Sequence, residues 1–465
     1  MQTVVEVDEQ RYVMVAAMLA GAGYREIAEC LAVRGFEASV GQIHDTLVEY
    51  RDLGLFRAPD AARQSAEISN TMMRLSAHQP MKMMLFMAQS CNLRCTYCYG
   101  IEGNYVDKGE KMSPETAEAA VDYLMLNSPQ RRHFYIYFFG GEPLLNFETI
   151  QHTVKYARQR AAELRKTVEF GITTNGTLLS DKVVDFLVQE DFQICVSMDG
   201  SPEGHDVNRP TKGGSGSHRH VLAGIRKLQA VCKRPGQLKI RATMSHQNHD
   251  PLAISRYFDA SGITNYGIGT TFHRAGNTQG TDVTPDDMVE MDQVLDNALD
   301  EVVQALAEGR RTPRYNPFYK TVGSMSMGST KAFIGCGVCR NDQGIGTDGR
   351  IYPCHRYVGL DSYVIGDVRS GVDPEKVRAV YKQVFDLWMN HCRNCWARYT
   401  CSSACVWQHS HDDGNLRIPD RDQCHAIRRS VRRSAWLSLH LSQKHPDVLA
   451  ALSRAPAAGG CCNPQ

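Results

Sequence analysis

Apolar positions follow three different patterns along the chain. Over residues 8–57 they recur at helical spacing in "DEQRYVMVAAMLAGAG", "YREIAECLAVRG" and "VGQIHDTLVEYRDLGLF", which predicts three short helices in a small N-terminal domain spanning 1–75. From residue 82 to about 272 the pattern becomes one of short apolar runs ending in Gly, Asn or Ser: "MMLFMA", "FYIYFFG", "VEFGITTNG", "FQICVSMDG", "LKIRATMS" and "NYGIGTTF". Helix-like stretches such as "SPETAEAAVDYLMLN" and "SDKVVDFLVQE" fall between them. This alternation predicts an α/β fold of parallel strands with crossover helices. Six units make a partial (β/α)6 barrel over 80–280, with its chemistry at the C-terminal strand ends. A helical connector follows at 281–335. Residues 336–430 are cysteine-dense and poor in long periodic elements, as expected of a domain organised by metal, and 431–465 read as a C-terminal helix and a disordered tail, "RAPAAGGCCNPQ".

Composition narrows the function classes. The 465 residues hold 52 Lys+Arg against 51 Asp+Glu, so bulk charge offers no signal for a nucleic-acid or anionic-membrane partner. No apolar run is long enough to span a bilayer, and "MQTVVEVDEQRY" has neither the basic leader nor the apolar core of a signal segment. A cytoplasmic location is expected. In that reducing setting the 16 cysteines are expected to ligate metal rather than to form disulfides, and only Cys30, Cys195, Cys232, Cys461 and Cys462 stand outside clusters.

The densest group is "CNLRCTYC", in which Cys91, Cys95 and Cys98 place three thiols in one loop directly after the first predicted strand. A four-iron cluster needs four ligands, so three leave one iron open to chemistry. A zinc loop is the competing reading, but zinc sites usually pair two short Cys/His hairpins and no fourth ligand is near.

With its C-x3-C-x2-C loop after strand one, the sequence resembles the radical S-adenosylmethionine enzymes. Further motifs follow in that family's order over residues 82–430. "FFGGEP" resembles the second-strand motif whose glycines let backbone approach the methionine amino group, and "TTNGT" and "VSMDG" fall where the family contacts ribose and carboxylate. The resemblance implies S-adenosylmethionine contacts from Tyr97, Gly140, Gly141, Glu142, Asn175, Ser197 and Arg209. It also implies reductive cleavage of the sulfonium to a 5′-deoxyadenosyl radical, fed by a donor such as flavodoxin or ferredoxin.

A second group reads Cys336-x2-Cys339-x9-Gly349-x4-Cys354, then Cys392-x2-Cys395-x5-Cys401-x3-Cys405, then Cys424. Its spacing is similar to that of the SPASM extension found in peptide-modifying members of the family. The resemblance implies two auxiliary four-iron clusters, one held by Cys336, Cys339, Cys354 and Cys405 and the other by Cys392, Cys395, Cys401 and Cys424, for three clusters in all. Zinc sites that merely staple the domain are the alternative. The C-x2-C opening departs from the wider gap of many relatives and puts full ligation by Cys336 and Cys339 in question.

In the sulfatase-maturing branch an Asp follows the G-x4-C cysteine and acts as base, whereas this chain has His355 in "YPCHRYVG". That histidine could be a base, a partner of the cluster ligand or a surface residue. "CHRYVG" and the N-terminal helices resemble instead the maturases that join a cysteine sulfur to a carbon of another residue. That branch implies a polypeptide substrate, expected to be a small cysteine-rich protein, and a winged-helix-like N-terminal domain that binds a leader segment through a small sheet. Only "TVVEV" precedes the first helix here, leaving little room for such strands. Formylglycine formation, a carbon–carbon crosslink and a non-catalytic zinc-stapled adaptor are the competing functions.

Overall fold

The structure is a computed structural model and describes residues 7–19, 22–52, 80–102, 109–271, 280–309, 336–340, 342–392, 395–397, 401, 405–417 and 421–454. Six strands follow one another across a parallel sheet: β1 (Lys82–Ala88), β2 (His133–Gly140), β3 (Thr167–Thr174), β4 (Gln193–Ser197), β5 (Leu238–Met244) and β6 (Tyr266–Thr270). These are the six apolar runs of the sequence. β1 is buried from Met83 to Ala88, as a strand covered on both faces must be, which is why its run is continuously apolar rather than alternating.

Crossover helices run over Pro114–Leu126, Phe147–Glu163, Asp181–Gln189, His218–Val231 and Pro251–Ala260. Their starts are written locally: Ser113 and Ser180 accept from the backbone N–H groups of Thr116 and Val183, and Asp250 accepts from those of Leu252 and Ala253, with Pro114 and Pro251 in the first turns. A single core of residues such as Leu85, Phe138, Ile172, Leu187 and Ile225 joins helices to sheet.

Beyond the barrel the sheet continues, which periodicity did not predict. β7 (Gln343–Ile345) pairs in parallel with β1, and β8 (Arg350–Tyr352), β9 (Gly366–Asp367) and β10 (Gly371–Val372) add on antiparallel, giving a ten-stranded sheet in the order β10-β9-β8-β7-β1-β2-β3-β4-β5-β6. Strands of two or three residues are too short to carry a period. The junction is tied by Lys82 to Asp342 at 2.9 Å, Tyr123 Oη to Gln343 Oε1 at 3.0 Å and Gln89 Nε2 to Thr347 Oγ1 at 2.9 Å.

The three predicted N-terminal helices span Glu9–Leu19, Tyr24–Ala32 and Val40–Asp52 around Val13, Met14, Ile27, Leu31, Ile43 and Leu47. Most of "TVVEV" lies outside the described residues, as do residues 455–465 of the expected tail. The C-terminal helix is longer than expected, Arg421–Lys444, so it begins inside the cysteine-dense segment and carries Cys424. Its Leu437 and Leu441 pack on Val302, Ala305 and Leu306 of the connector, and Arg433 bonds Asp292 at 2.9 Å and Asp296 at 2.5 Å. Among the described residues no helix is long and apolar enough to cross a membrane.

Candidate functional site

The expected motifs meet at the C-terminal ends of β1 to β4. The thiol loop leaves β1, and the Gly140-Gly141-Glu142 turn leaving β2 is stitched to it: Gly141 N–H donates to Ala88 O and Glu142 N–H to Ser90 O, both at 2.9 Å. A Cβ on Gly141 would stand 2.3 Å from Ser90 O, so only glycine allows this approach.

Glu142 is fully buried. Its carboxylate accepts from Thr174 Oγ1 at 2.7 Å, Asn175 N–H at 2.8 Å and Leu144 N–H at 3.1 Å, yet burial outweighs these bonds and raises its pKa to about 7. Asn175 turns its amide to the loop, with Nδ2 at 2.8 Å from Asn92 Oδ1 and 3.6 Å from Cys91 Sγ. Ser197 is half-buried at the end of β4, in register with Arg241.

The sequence reading missed Asp199, two residues past Ser197 in the same motif. Completely buried, it receives Arg209 Nε at 2.8 Å and the Tyr97 hydroxyl on one oxygen and Thr243 N–H at 2.9 Å on the other. Arg209 also lies over the Tyr97 ring, 5.4 Å from its centroid, and points Nη1 at Cys95 Sγ, 3.9 Å away. Burial opposes the Arg209 charge, but Asp199 holds its pKa above the usual arginine range. Burial first, with the Asp199 charge among the added causes, keeps Tyr97 protonated. A signal was available: an acid directly after the apolar run "FQICVSM" goes into the core only with a cation to meet it, and Arg209 follows ten positions on.

Cys91 lies within electrostatic reach of Cys95, and Cys95 of Cys98. Burial pushes Cys91 and Cys95 up to about 12, so neither would be a thiolate unless a metal took the proton's place. Leu93 N–H, Asn175 Nδ2 and Arg209 Nη1 point at these sulfurs, at 3.4, 3.6 and 3.9 Å. Three thiols ringed by N–H donors fit a sulfur-ligated iron cluster.

In the cysteine-dense segment Cys336, Cys354 and Cys405 lie within reach of one another, and Cys339, beside Cys336, is fixed by its N–H to Pro353 O at 2.7 Å. A separate group, Cys392, Cys395 and Cys424, surrounds Arg428. Cys401 is placed by its N–H to Ala397 O at 2.9 Å. Among the described residues no three His, Cys, Asp or Glu side chains close on a single metal ion. His355 is not a surface residue. It is buried, its ring 5.3 Å from that of Phe139, and burial and nearby cations keep it neutral.

Residues 85–252 match the family model of the Radical SAM superfamily. The fold is of radical SAM type. A solved structure of anSMEcpe with bound AdoMet and a Cp18Cys peptide superposes with a TM-score of 0.63 at 20% identity, covering 78% of this chain and 99% of that one. A cysteine-type anaerobic sulfatase-maturating enzyme of Clostridium novyi is 24% identical over 68% of this chain and 85% of its own length. A radical SAM cyclopropyl synthase, TigE, of Paramaledivibacter caminithermalis is 21% identical over 75% of this chain and 72% of its own. An uncharacterised protein of Methanocaldococcus jannaschii is 34% identical over 32% of this chain, which spans 48% of that relative's length.

Proposed function

We propose that the chain is a radical S-adenosylmethionine enzyme that modifies a cysteine-containing polypeptide. Its product would be intrapeptide thioether crosslinks from cysteine sulfur to a side-chain carbon. The nearest analogy is the maturase of the small (gamma) subunit of quinohemoprotein amine dehydrogenase, whose bonds go to Asp or Glu methylenes. Modification of peptides is supported by the activities of the relatives, which differ from one another and so leave the product to be read from the site. The observation that carries the finer reading is His355. It stands where the sulfatase-maturing branch has an acid, buried beside Cys354 and against Phe139 at the end of β2.

Within this reading Cys91, Cys95 and Cys98 hold the catalytic cluster, and the two cysteine groups of residues 336–424 hold auxiliary clusters. When bound, the cluster and S-adenosylmethionine supply a 5′-deoxyadenosyl radical. The chain's own part is to hold the cofactor's polar groups against the Gly140-Gly141 turn, Glu142, Asn175, Ser197 and Arg209, and to keep water out. Glu142, poised near neutral pH, is suited to an ammonium group, which would draw out its charge.

The test is anaerobic incubation of the reduced holoenzyme with S-adenosylmethionine and a cysteine-rich polypeptide encoded nearby. Thioether formation removes two hydrogens per bond and protects the thiol from alkylation; formylglycine would instead add a free aldehyde. Changing Cys91, Cys95 and Cys98 together to Ala abolishes 5′-deoxyadenosine formation while iron bound at residues 336–424 remains. A protein holding only zinc and forming no 5′-deoxyadenosine is an adaptor, and the proposal falls.

A further inference from the structure

Beside the thiol loop lies a set of buried polar atoms that the described residues leave unmatched. His355 Nδ1, Arg356 Nε and Trp407 Nε1 have no hydrogen-bond partner among the described residues, and their residues are 6%, 9% and 1% exposed. The Arg356 guanidinium lies over two rings, 5.2 Å from the centroid of Tyr99 and 5.0 Å from that of Trp407. Tyr99 directly follows Cys98, and Phe139, which meets His355, directly precedes Gly140. The group therefore stands between the thiol loop, the end of β2 and the cysteine-dense segment.

A guanidinium stays charged when buried, and this one, within electrostatic reach of the Cys354 sulfur, forms no ion pair with a carboxylate among the described residues. Both rings lie to one side of it, their centroids 5.7 Å apart, which leaves its N–H donors to meet a ligand. A buried guanidinium whose Nε has no hydrogen-bond partner among the described residues, with two further such atoms beside it, is costly unless something polar arrives to match them. The Arg356 charge balances one carboxylate; of the two further cations that act on His355, Lys82 is already paired with Asp342 at 2.9 Å and Arg241 stands on β5.

Resting on the peptide-modifying reading above, we propose that Arg356, with Trp407 and His355 beside it, receives an aspartate or glutamate carboxylate of the substrate polypeptide and so sets which residues are modified. Arg356 is then a specificity-determining residue.

The probes are acetyl-Gly-Cys-Gly-Gly-Asp-Gly-amide and its Asn counterpart, titrated calorimetrically into the anaerobic holoenzyme with S-adenosylmethionine present. The wild type binds the Asp peptide about tenfold more tightly. R356Q erases that preference, R356K keeps part of it, and W407F, which retains the ring but loses the donor, cuts it about threefold. Iron content and S-adenosylmethionine affinity stay at wild-type values in all three. Equal affinity for the two peptides in the wild type overturns the inference, as does a preference that survives R356Q. Loss of iron in R356Q would make the guanidinium a counter-charge to the Cys354 thiolate, and weakened S-adenosylmethionine binding would assign it to the cofactor; each overturns the inference too. In all of these outcomes 5′-deoxyadenosine formation by the wild type still tests the proposed function separately.

Discussion

At the mouth of the barrel, Glu142, Asn175, Asp199 and Arg209 satisfy one another and the surrounding backbone, and the strands that carry them are five to eight residues long. Across β1, in the part of the sheet formed by residues 343–372, the strands have two or three residues, and Cys336, Cys354 and Cys405 gather within electrostatic reach of one another. One region closes its polar site from within. The other gathers thiols that, in the function proposed above, would be completed by iron, and it takes its edge from β1. The difference teaches where metal matters for structure: the barrel should stand without it, and the extension should not.

The largest effect should therefore come from iron removal. Chelating the anaerobic protein is expected to make residues 336–417 at least about tenfold more susceptible to trypsin while 82–271 stay protected, because a segment held together by metal opens locally once the metal is taken away. Uniform digestion of both regions, read by mass spectrometry of the fragments, would erase the contrast.

Next in size is the ion pair at the barrel mouth. Asp199 and Arg209 are 0% and 9% exposed at the side chain, so replacing the acid strands a buried cation. Asp199→Asn is expected to cost about 3–5 kcal/mol in urea unfolding and to weaken S-adenosylmethionine binding. The comparison pair in the extension, Arg350 with Asp361 at 2.6 Å, is 39% and 80% exposed, and Asp361→Asn should cost less than about 1 kcal/mol. Similar losses at the two sites would mean that the barrel's network is no tighter than a surface contact.

The same contrast explains what could be read from sequence. Six strands and three N-terminal helices were legible because each is long enough to show its period: "FYIYFFG" reads as a buried strand at sight, and β2 is His133–Gly140. β8 to β10 were not, since a pair such as Gly366–Asp367 has no pattern, and its pairing depends on β7 finding the open edge of β1. At the site, Tyr97, Glu142, Asn175 and Arg209 were expected from motifs of fixed spacing, and the fold gathers them at the ends of the strands. Asp199 was passed over for Ser197 because the cation that draws it inward, Arg209, lies ten positions on in a separate motif, and neither motif shows the pair by itself. The burial of His355 and Arg356 was hidden for a related reason: two polar residues in "CHRYVG" look like surface until Tyr99, Phe139 and Trp407, distant in sequence, close over them.

A smaller effect than the loss of Asp199 probes how completely the barrel network is satisfied. His205 accepts from Asp199 N–H through Nδ1 at 3.2 Å, and its Nε2 meets Ser217 Oγ at 2.9 Å. Ser217 gives its own proton to Arg209 O at 2.6 Å, so Nε2 must carry the ring proton and donate. Both nitrogens are occupied in the neutral ring. A second proton would break the bond to Asp199 N–H inside a site where burial, then the charges of Arg209 and His218, resist it, with Asp206 only partly compensating; together they lower the pKa from 6.5 to about 3. The unfolded imidazole takes up a proton below 6.5, whereas the folded one does not until near 3, so the stability is present above 6.5 and is lost as pH falls through that window. Between pH 7 and 5 this amounts to about 2 kcal/mol. His205→Asn, which cannot titrate, should flatten the pH dependence of the urea-unfolding free energy by that amount, and an unchanged slope would mean that His205 takes up its proton at the same pH folded as unfolded, so that the barrel network does not hold it neutral.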